Sequence, residues 1–205
     1  MTYAQFGEDD WLVSIFPIGF KGHAVDVGAF DGVTINNTAL LERNGWEVLC
    51  VEPNPAAAQA CRAQRKNVVE CACGSVPRDD APFSLFVNNT CAYSSLLRHP
   101  GVIEAEPGLL WKDITVRVRT LDSLLAEWNP PRLDVLSVDT EGTELDVLKG
   151  IDLNRWAPKV IIAELWDETH GVHDDPITPY LKERGYRLLE RVGENNRYLI
   201  EGFGP

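Results

Sequence analysis

Two aspartates and two glycines crowd into the stretch Ala24 to Gly32, AVDVGAFDG. A short apolar run (Ala24, Val25, Val27) carries Asp26 and ends at Gly28, and Asp31 and Gly32 follow. This is the pattern of a strand feeding a glycine turn and then a helix, the unit that lets backbone approach a nucleotide-like ligand in α/β folds. Glycine at 28 and 32 removes side chains where a ligand could lie against the chain. The acids set the chemistry. A dinucleotide turn offers amide donors to a pyrophosphate and no fixed negative charge. Here Asp26 and Asp31 flank the turn, and Phe30 stands where G-x-G-x-x-G needs its second glycine. Carboxylates there repel phosphate and suit a ligand with an ammonium, a sulfonium and ribose hydroxyls. S-adenosylmethionine has all three.

Further acids recur where apolar runs end. EVLCVE closes on Glu52, LDVLSVD on Asp139 with Glu141 two residues later, and KVIIAEL carries Glu164. A further run ends in Cys73-Gly74-Ser75. Ligands of open α/β sheets bind outside the carboxyl ends of the strands, near the point where strand order reverses. One acid at a strand end means little. Several in register point to a common crevice, in which Glu52 is placed to take both hydroxyls of a ribose. Structural duties compete at some positions: Asp26 could bond loop amides, Asp139 could cap the next helix, and Gly7-Glu8-Asp9 is good helix N-terminal chemistry.

The elements that must position these residues follow from periodicity and breakers. Trp11, Leu12 and Ile15 mark a leading helix over 8–16, stopped by Pro17 and Gly19. Strands are expected at 24–28, 47–52, 67–73, 133–139 and 159–165, and helices at 35–44, from Pro55 behind an Asn54 cap, at 120–128 behind Thr120, at 141–149 and at 176–184. Residues 186–191 and 196–201 predict an antiparallel pair around Gly193-Glu194. Between 76 and 118 the alternation lapses: two strands, 83–87 and 114–118, bracket a loop too long to be a passive connection. The expectation is an α/β fold. One doubly wound, mostly parallel sheet with an antiparallel edge strand fills a single domain over 1–205, and 76–118 is inserted to shape an acceptor pocket.

Composition narrows the partners. The chain has 205 residues and a net charge of −12, which disfavours nucleic acid and anionic membrane surfaces. No apolar run of membrane-spanning length occurs, and MTYAQFGEDDWL lacks the basic and apolar blocks of a signal peptide. The five cysteines, an odd number without a small-scaffold pattern, read as reduced thiols in a cytoplasmic protein. The partner left standing is a small molecule.

YAQFGEDDWL, DVGAFDGVTINNT, Glu52-Pro53 and LSVDTEGTELDVLKGID, taken together and in this order, resemble the FkbM family of S-adenosylmethionine-dependent methyltransferases over roughly residues 3–165. The resemblance implies a Rossmann-like class I methyltransferase fold and O-methylation of a sugar or natural-product acceptor, with S-adenosylhomocysteine as product. It also implies roles. Gln5, Gly7 and Glu8 would hold the methionine end of the cofactor, and Asp26, Gly28 and Asp31 its methionyl moiety. Glu52 would take the ribose diol, Cys73 would lie beside the adenine, and Asp139 and Glu141 would sit near the transferring methyl. Asn37-Thr38 stands where the family has Ser-Asn-Thr, with Asn36 in place of the serine, and Asn37 is counted with the cofactor residues. The family's histidine after the Glu164 acid is displaced here to His170.

An alcohol acceptor must lose a proton, and a carboxylate or neutral histidine within reach can take it. The candidates in falling order are His170, Glu141 and Asp139. A divalent cation bridging Asp139, Glu141 and Glu164 is the less favoured route, and no residue is assigned to a metal. Two other readings share the fold: a nicotinamide-dependent oxidoreductase, against which the acids at the first turn count, and a non-catalytic module that binds an adenosyl ligand.

Overall fold

A seven-stranded sheet runs through the protein in the order β3-β2-β1-β7-β8-β10-β9. The computed structural model describes residues 2–87, 94–96, 110–165 and 175–204. Its strands are β1 (His23–Val27), β2 (Glu47–Val51), β3 (Asn67–Val69), β7 (Val135–Val138), β8 (Val160–Glu164), β9 (Tyr186–Val192) and β10 (Asn195–Ile200). The first five run parallel, and β10 pairs antiparallel with β8 and with β9. This is the doubly wound sheet with an antiparallel edge that the sequence predicts. Strand order reverses between β1 and β7.

Period-2 alternation explains why both faces are covered. Val25, Val27, Leu49, Val51, Leu136 and Val138 point to one core, shared with Leu121 and Leu125 of α4 (Leu121–Trp128) and Leu148 of α5 (Glu144–Lys149). α6 (Leu153–Trp156) and α7 (Ile177–Lys182) pack there too, through Leu153, Ile177 and Leu181. Ala24, Val48, Cys50, Val135 and Ile162 point the other way, to Leu12 of α1 (Glu8–Ile15), Leu41 of α2 (Ala39–Arg43) and Cys61 of α3 (Pro55–Arg62). The Asn54 side chain accepts from the amides of Ala56 and Ala57 at the start of α3, and Thr120 caps α4, as their types predict.

Several expected elements are cut differently, the strands expected at 83–87 and 114–118 being longer. Residues 67–73 form two strands, not one. β3 pairs with β2, and the chain then leaves that sheet so that β4 (Ala72–Cys73) joins a second sheet of order β4-β6-β5, with β5 (Arg78–Phe86) antiparallel to β6 (Trp111–Arg119). α2 starts at Ala39, not 35, because Ile35 has φ 48 and the Asn36 side-chain oxygen accepts from the amides of Thr38 and Ala39. α5 starts at Glu144, not 141, because Glu141 has φ 55 and the Glu144 carboxylate accepts from the amides of Thr140 and Gly142. In both places a side chain competes with the helix for backbone donors.

Beneath the first turn lies a buried ionic network. Arg65, 6% exposed, donates to Gly32 O (2.9 Å), Asn36 Oδ1 (3.0 Å) and Thr38 Oγ1 (2.8 Å) and pairs with Glu42. Its guanidinium stands 3.9 Å from Asp26, which accepts from Asn36 Nδ2 (2.8 Å) and Thr38 Oγ1 (2.7 Å). Removing one member of such a buried set strands the others and costs about 3–5 kcal/mol. Arg65→Ala should therefore lower the melting temperature by about 10 °C or more, read by circular dichroism. A shift within about 2 °C would show that the network is not holding the turn.

Candidate active site

β1 delivers the chain to Gly28, whose φ is 85 and where an added Cβ would stand 1.7 Å from the Asp139 carbonyl oxygen. Only glycine fits, so β1 and β7 close up at their carboxyl ends. The ladder continues one residue past each strand. The amides of Gly28, Asp139 and Glu52 donate to Val51 O (2.9 Å), Val27 O (3.0 Å) and Val69 O (3.1 Å). The side chains of Asp139 and Glu52 thus project from fixed points.

These ends open into a cavity of about 290 Å³. Glu52, Pro53 and Asn54 line it after β2, Gly28 and Phe30 after β1, and Asp139 to Glu141 after β7. Glu164 closes β8 onto it, and Glu194, at the tip of the β9–β10 hairpin, also lines it. The second sheet covers it with Cys73, Phe83 and Phe86, and Cys71 just before β4 joins them. Ser95 donates to the carbonyls of Thr140 (3.1 Å) and Glu141 (2.9 Å), which pins this cover to the turn after β7. Neighbouring strands are about 4.8 Å apart, so the ends of β2 and β8 are separated by three spacings, roughly 14 Å. Five non-glycine residues among those described have positive φ, and three of them, Phe30, Ile35 and Glu141, line the cavity. Strain of this kind concentrates at functional sites.

The electrostatics are one-sided. Five carboxylates line the cavity (Glu52, Asp139, Glu141, Glu164 and Glu194), and among the described residues no Lys, Arg or His does. Burial, and after it the charge of Glu144, pushes Asp139 up to about 7. Burial, followed by the neighbouring acids with Asp139 first, holds Glu141 and Glu164 well above the usual carboxylate range. Burial also raises Glu52 to about 7, against the pull of hydrogen bonds from the Asn54 and Phe30 amides. Carboxyl oxygens of Asp139, Glu141 and Glu164 lie within 4.8 Å of one another. Such an arrangement can attract a cation, orient hydroxyls and accept a proton near neutrality.

The family model described as the methyltransferase FkbM domain matches residues 26–188. This chain belongs to the FkbM methyltransferase family. It is similar to methyltransferase sdnD of Sordaria araneosa, 33% identical over 90 residues, which are 40% of this chain and 34% of that protein. The aligned part thus spans about a third of the relative's length.

In this FkbM-family chain the sequence-predicted residues divide into two groups. Gln5, Gly28, Glu52, Cys73, Asp139 and Glu141 line the cavity. Asp26, Asp31 and Asn37 are not among the lining residues. Asp26 belongs to the Arg65 network, and Asn37 donates to Ser137 Oγ (3.1 Å). Asp31 accepts from the Val33 and Thr34 amides and the Thr34 hydroxyl, bonds that outweigh burial and keep its carboxyl below its ordinary value. Gly7 and Glu8 also lie outside the lining. Glu8 is fully buried and accepts from Asn195 Nδ2 (2.9 Å) and the Phe6 amide (3.0 Å), which ties Gln5 and the hairpin tip to the same rim. Gln5 to Glu8 precede the matched residues. His170 lies outside the described residues.

Three contributors have no motif of their own. Arg65 sits just past α3 with no local sign of its distant partners. Glu194 reads only as a turn residue. Glu144 reads as a first-turn helix acid, yet its Oε1 holds the 140–142 turn closed with bonds of 2.9–3.1 Å.

The raised Asp139 makes stability depend on pH. Folded, it keeps its proton to about 7, whereas an unfolded aspartate loses it near 3.8. Between those values the folded form binds more protons, so this contribution is complete at low pH and is lost as pH rises. In chelator-treated buffer the melting temperature should fall between about pH 5 and about pH 8, and Asp139→Asn should flatten that fall. An unchanged slope in the variant would assign the titration elsewhere.

Proposed function

We propose that this FkbM-family methyltransferase uses S-adenosylmethionine to methylate a hydroxyl oxygen of a sugar or natural-product-type small molecule. The observation that carries the reading is the row of strand-end groups across the switch point, with Glu52 at one end and Asp139, Glu141 and Glu164 at the other. When bound, the cofactor supplies a methyl group made electrophilic by a positively charged sulfur.

The residues fit that cofactor. Glu52 Oε2 accepts from the Phe30 amide and Oε1 from the Asn54 amide, both at 2.8 Å. The carboxylate is therefore fixed in orientation, and each oxygen keeps a lone pair for one ribose hydroxyl. Gly28 lets backbone lie against the ligand, and Cys71, Cys73 and Phe83 offer an apolar wall for a base. Asp139, with Gln5 beside the rim, suits the ammonium and sulfonium end. The protein's part in the transfer is mostly alignment and exclusion of water, which accounts for several kcal/mol of barrier.

Acceptor chemistry follows from the same lining. Phe83, Phe86 and Leu96 with Ser94 make a mixed wall that suits a sugar face or a partly apolar molecule, and the carboxylates disfavour an anionic one. Residues 76–118 are accordingly the proposed acceptor-shaping part of a single catalytic unit. The proposed proton acceptors remain His170, by its place in the sequence, then Glu141 and Asp139. Cys50, Cys61, Cys71 and Cys73 are free and buried, which suits a reducing, cytoplasmic setting. No helix among the described residues is long and apolar enough to cross a membrane.

Calorimetry with S-adenosylhomocysteine tests the reading. Glu52→Ala removes two charge-assisted acceptors for ribose hydroxyls and should weaken binding at least tenfold while the chain still melts cooperatively. Unchanged affinity would remove Glu52 from the cofactor site. In the same series His170→Ala should keep affinity within about twofold and lower turnover about 10²-fold, the low end of what a general base contributes. Equal turnover in variant and parent would discard it as the base.

A further inference from the structure

We propose that Asp139, Glu141 and Glu164 form a site for one divalent cation of the magnesium or manganese class, open to the acceptor side of the cavity. Two independent observations carry it. The first is geometric. One carboxyl oxygen from each residue lies within 4.8 Å of the other two. Three atoms no more than 4.8 Å apart lie within about 2.8 Å of a common point, against an Mg–O distance of about 2.1 Å, so each carboxylate needs to close in by at most about 0.7 Å to hold one ion. The second is an unfilled valence. Glu164 is 8% exposed; its carboxyl is hydrogen-bonded to that of Asp139, and its buried Oε2 is left without a partner. A buried carboxylate oxygen left without a partner is costly, and a cation is a partner that answers it.

The surroundings select the kind of ion. The donor atoms are hard carboxylate oxygens, which suit Mg²⁺ and Mn²⁺ over softer metals. Cys71 and Cys73 line the same cavity but are not part of the cluster. Two of the three donors come from the turn after β7, which Glu144 clamps through Thr140 and Gly142, and the third is the last residue of the neighbouring strand β8. The donors are thus placed by the end of one strand and by a turn clamped beside it. Three protein ligands leave the remaining positions for water and for one acceptor oxygen. If the ion also polarises the acceptor hydroxyl, that role rests on the methyl-transfer reading above; the binding site does not.

Titration of the full chain with Mn²⁺ alone, following loss of the free-ion electron paramagnetic resonance signal, tests the site without using activity. One ion per chain is expected. Glu164→Gln should weaken uptake at least tenfold, and so should Asp139→Asn, a second variant in case the first does not fold. No uptake at millimolar Mn²⁺, or uptake undiminished in both folded variants, overturns the proposal. Calorimetry of S-adenosylhomocysteine binding in chelator-treated buffer separates the two readings. Cofactor binding without Mn²⁺ uptake removes the metal and leaves the methyl-transfer reading, whereas Mn²⁺ uptake without cofactor binding supports the metal site and removes that reading.

Discussion

A single buried guanidinium fixes the turn on which the site is built. Arg65 reaches Gly32, Asn36 and Thr38 and balances Asp26 and Glu42 in a region with little access to water. A lone Asp26 buried in a strand would be expensive to ionise. With Arg65 beside it, its carboxylate can anchor Asn36 and Thr38, and the 28–38 loop is held against the sheet. That frees the front of the loop for ligand: Gly28 and Phe30 face the cavity while the ionic network stays behind it. The acid most conspicuous in the sequence thus belongs to the network behind the turn and not to the cavity lining.

In front of that layer the charge balance is the reverse. Asp26 has its arginine, but the carboxylates after β2, β7 and β8 face a cavity whose described walls hold no basic side chain. Their proton affinities rise accordingly, Asp139 and Glu52 to about 7. Groups shifted in this way cluster at functional sites. In the proposed reading, a sulfonium cofactor would bring one positive charge and the proposed divalent ion two more. Glu164 ends β8, and Glu52 and Asp139 follow β2 and β7 by one residue on amides still in the ladder, so the sheet sets their spacing, while Glu141 depends on the clamped turn after β7.

Much of this was readable before the fold was seen, for a local reason. An apolar run closed by an acid, as in EVLCVE or LDVLSVD, states both that a strand is buried and that a carboxylate leaves its end. Asn54-Pro55 and Gly193-Glu194 likewise carry their geometry in a few residues. What was not readable depends on contacts between distant parts of the chain. Asn36 and Glu144 delay their helices because their side chains take backbone donors first, and composition alone places those residues inside the helix. The 67–73 run looks continuous because nothing in it reveals that β2 pairs only as far as Val69 and that β6 waits for Ala72. Arg65 follows a helix of ordinary amphipathic character, and its five partners come from residues 26–42. The glycine turn that singles out Asp26 and Asp31 is local, whereas the network that engages Asp26 is not.

The account turns on an adenosyl sulfur ligand lying across the switch point from Glu52 to Asp139. A side-by-side thermal shift with S-adenosylmethionine, S-adenosylhomocysteine and NAD addresses it most directly. A ligand at about 100 times its dissociation constant adds roughly 2.7 kcal/mol, a rise of about 5–10 °C for a chain of this size. The account predicts that rise with both adenosyl sulfur ligands and none with NAD. A rise with NAD alone, or no rise with any of the three, would contradict it.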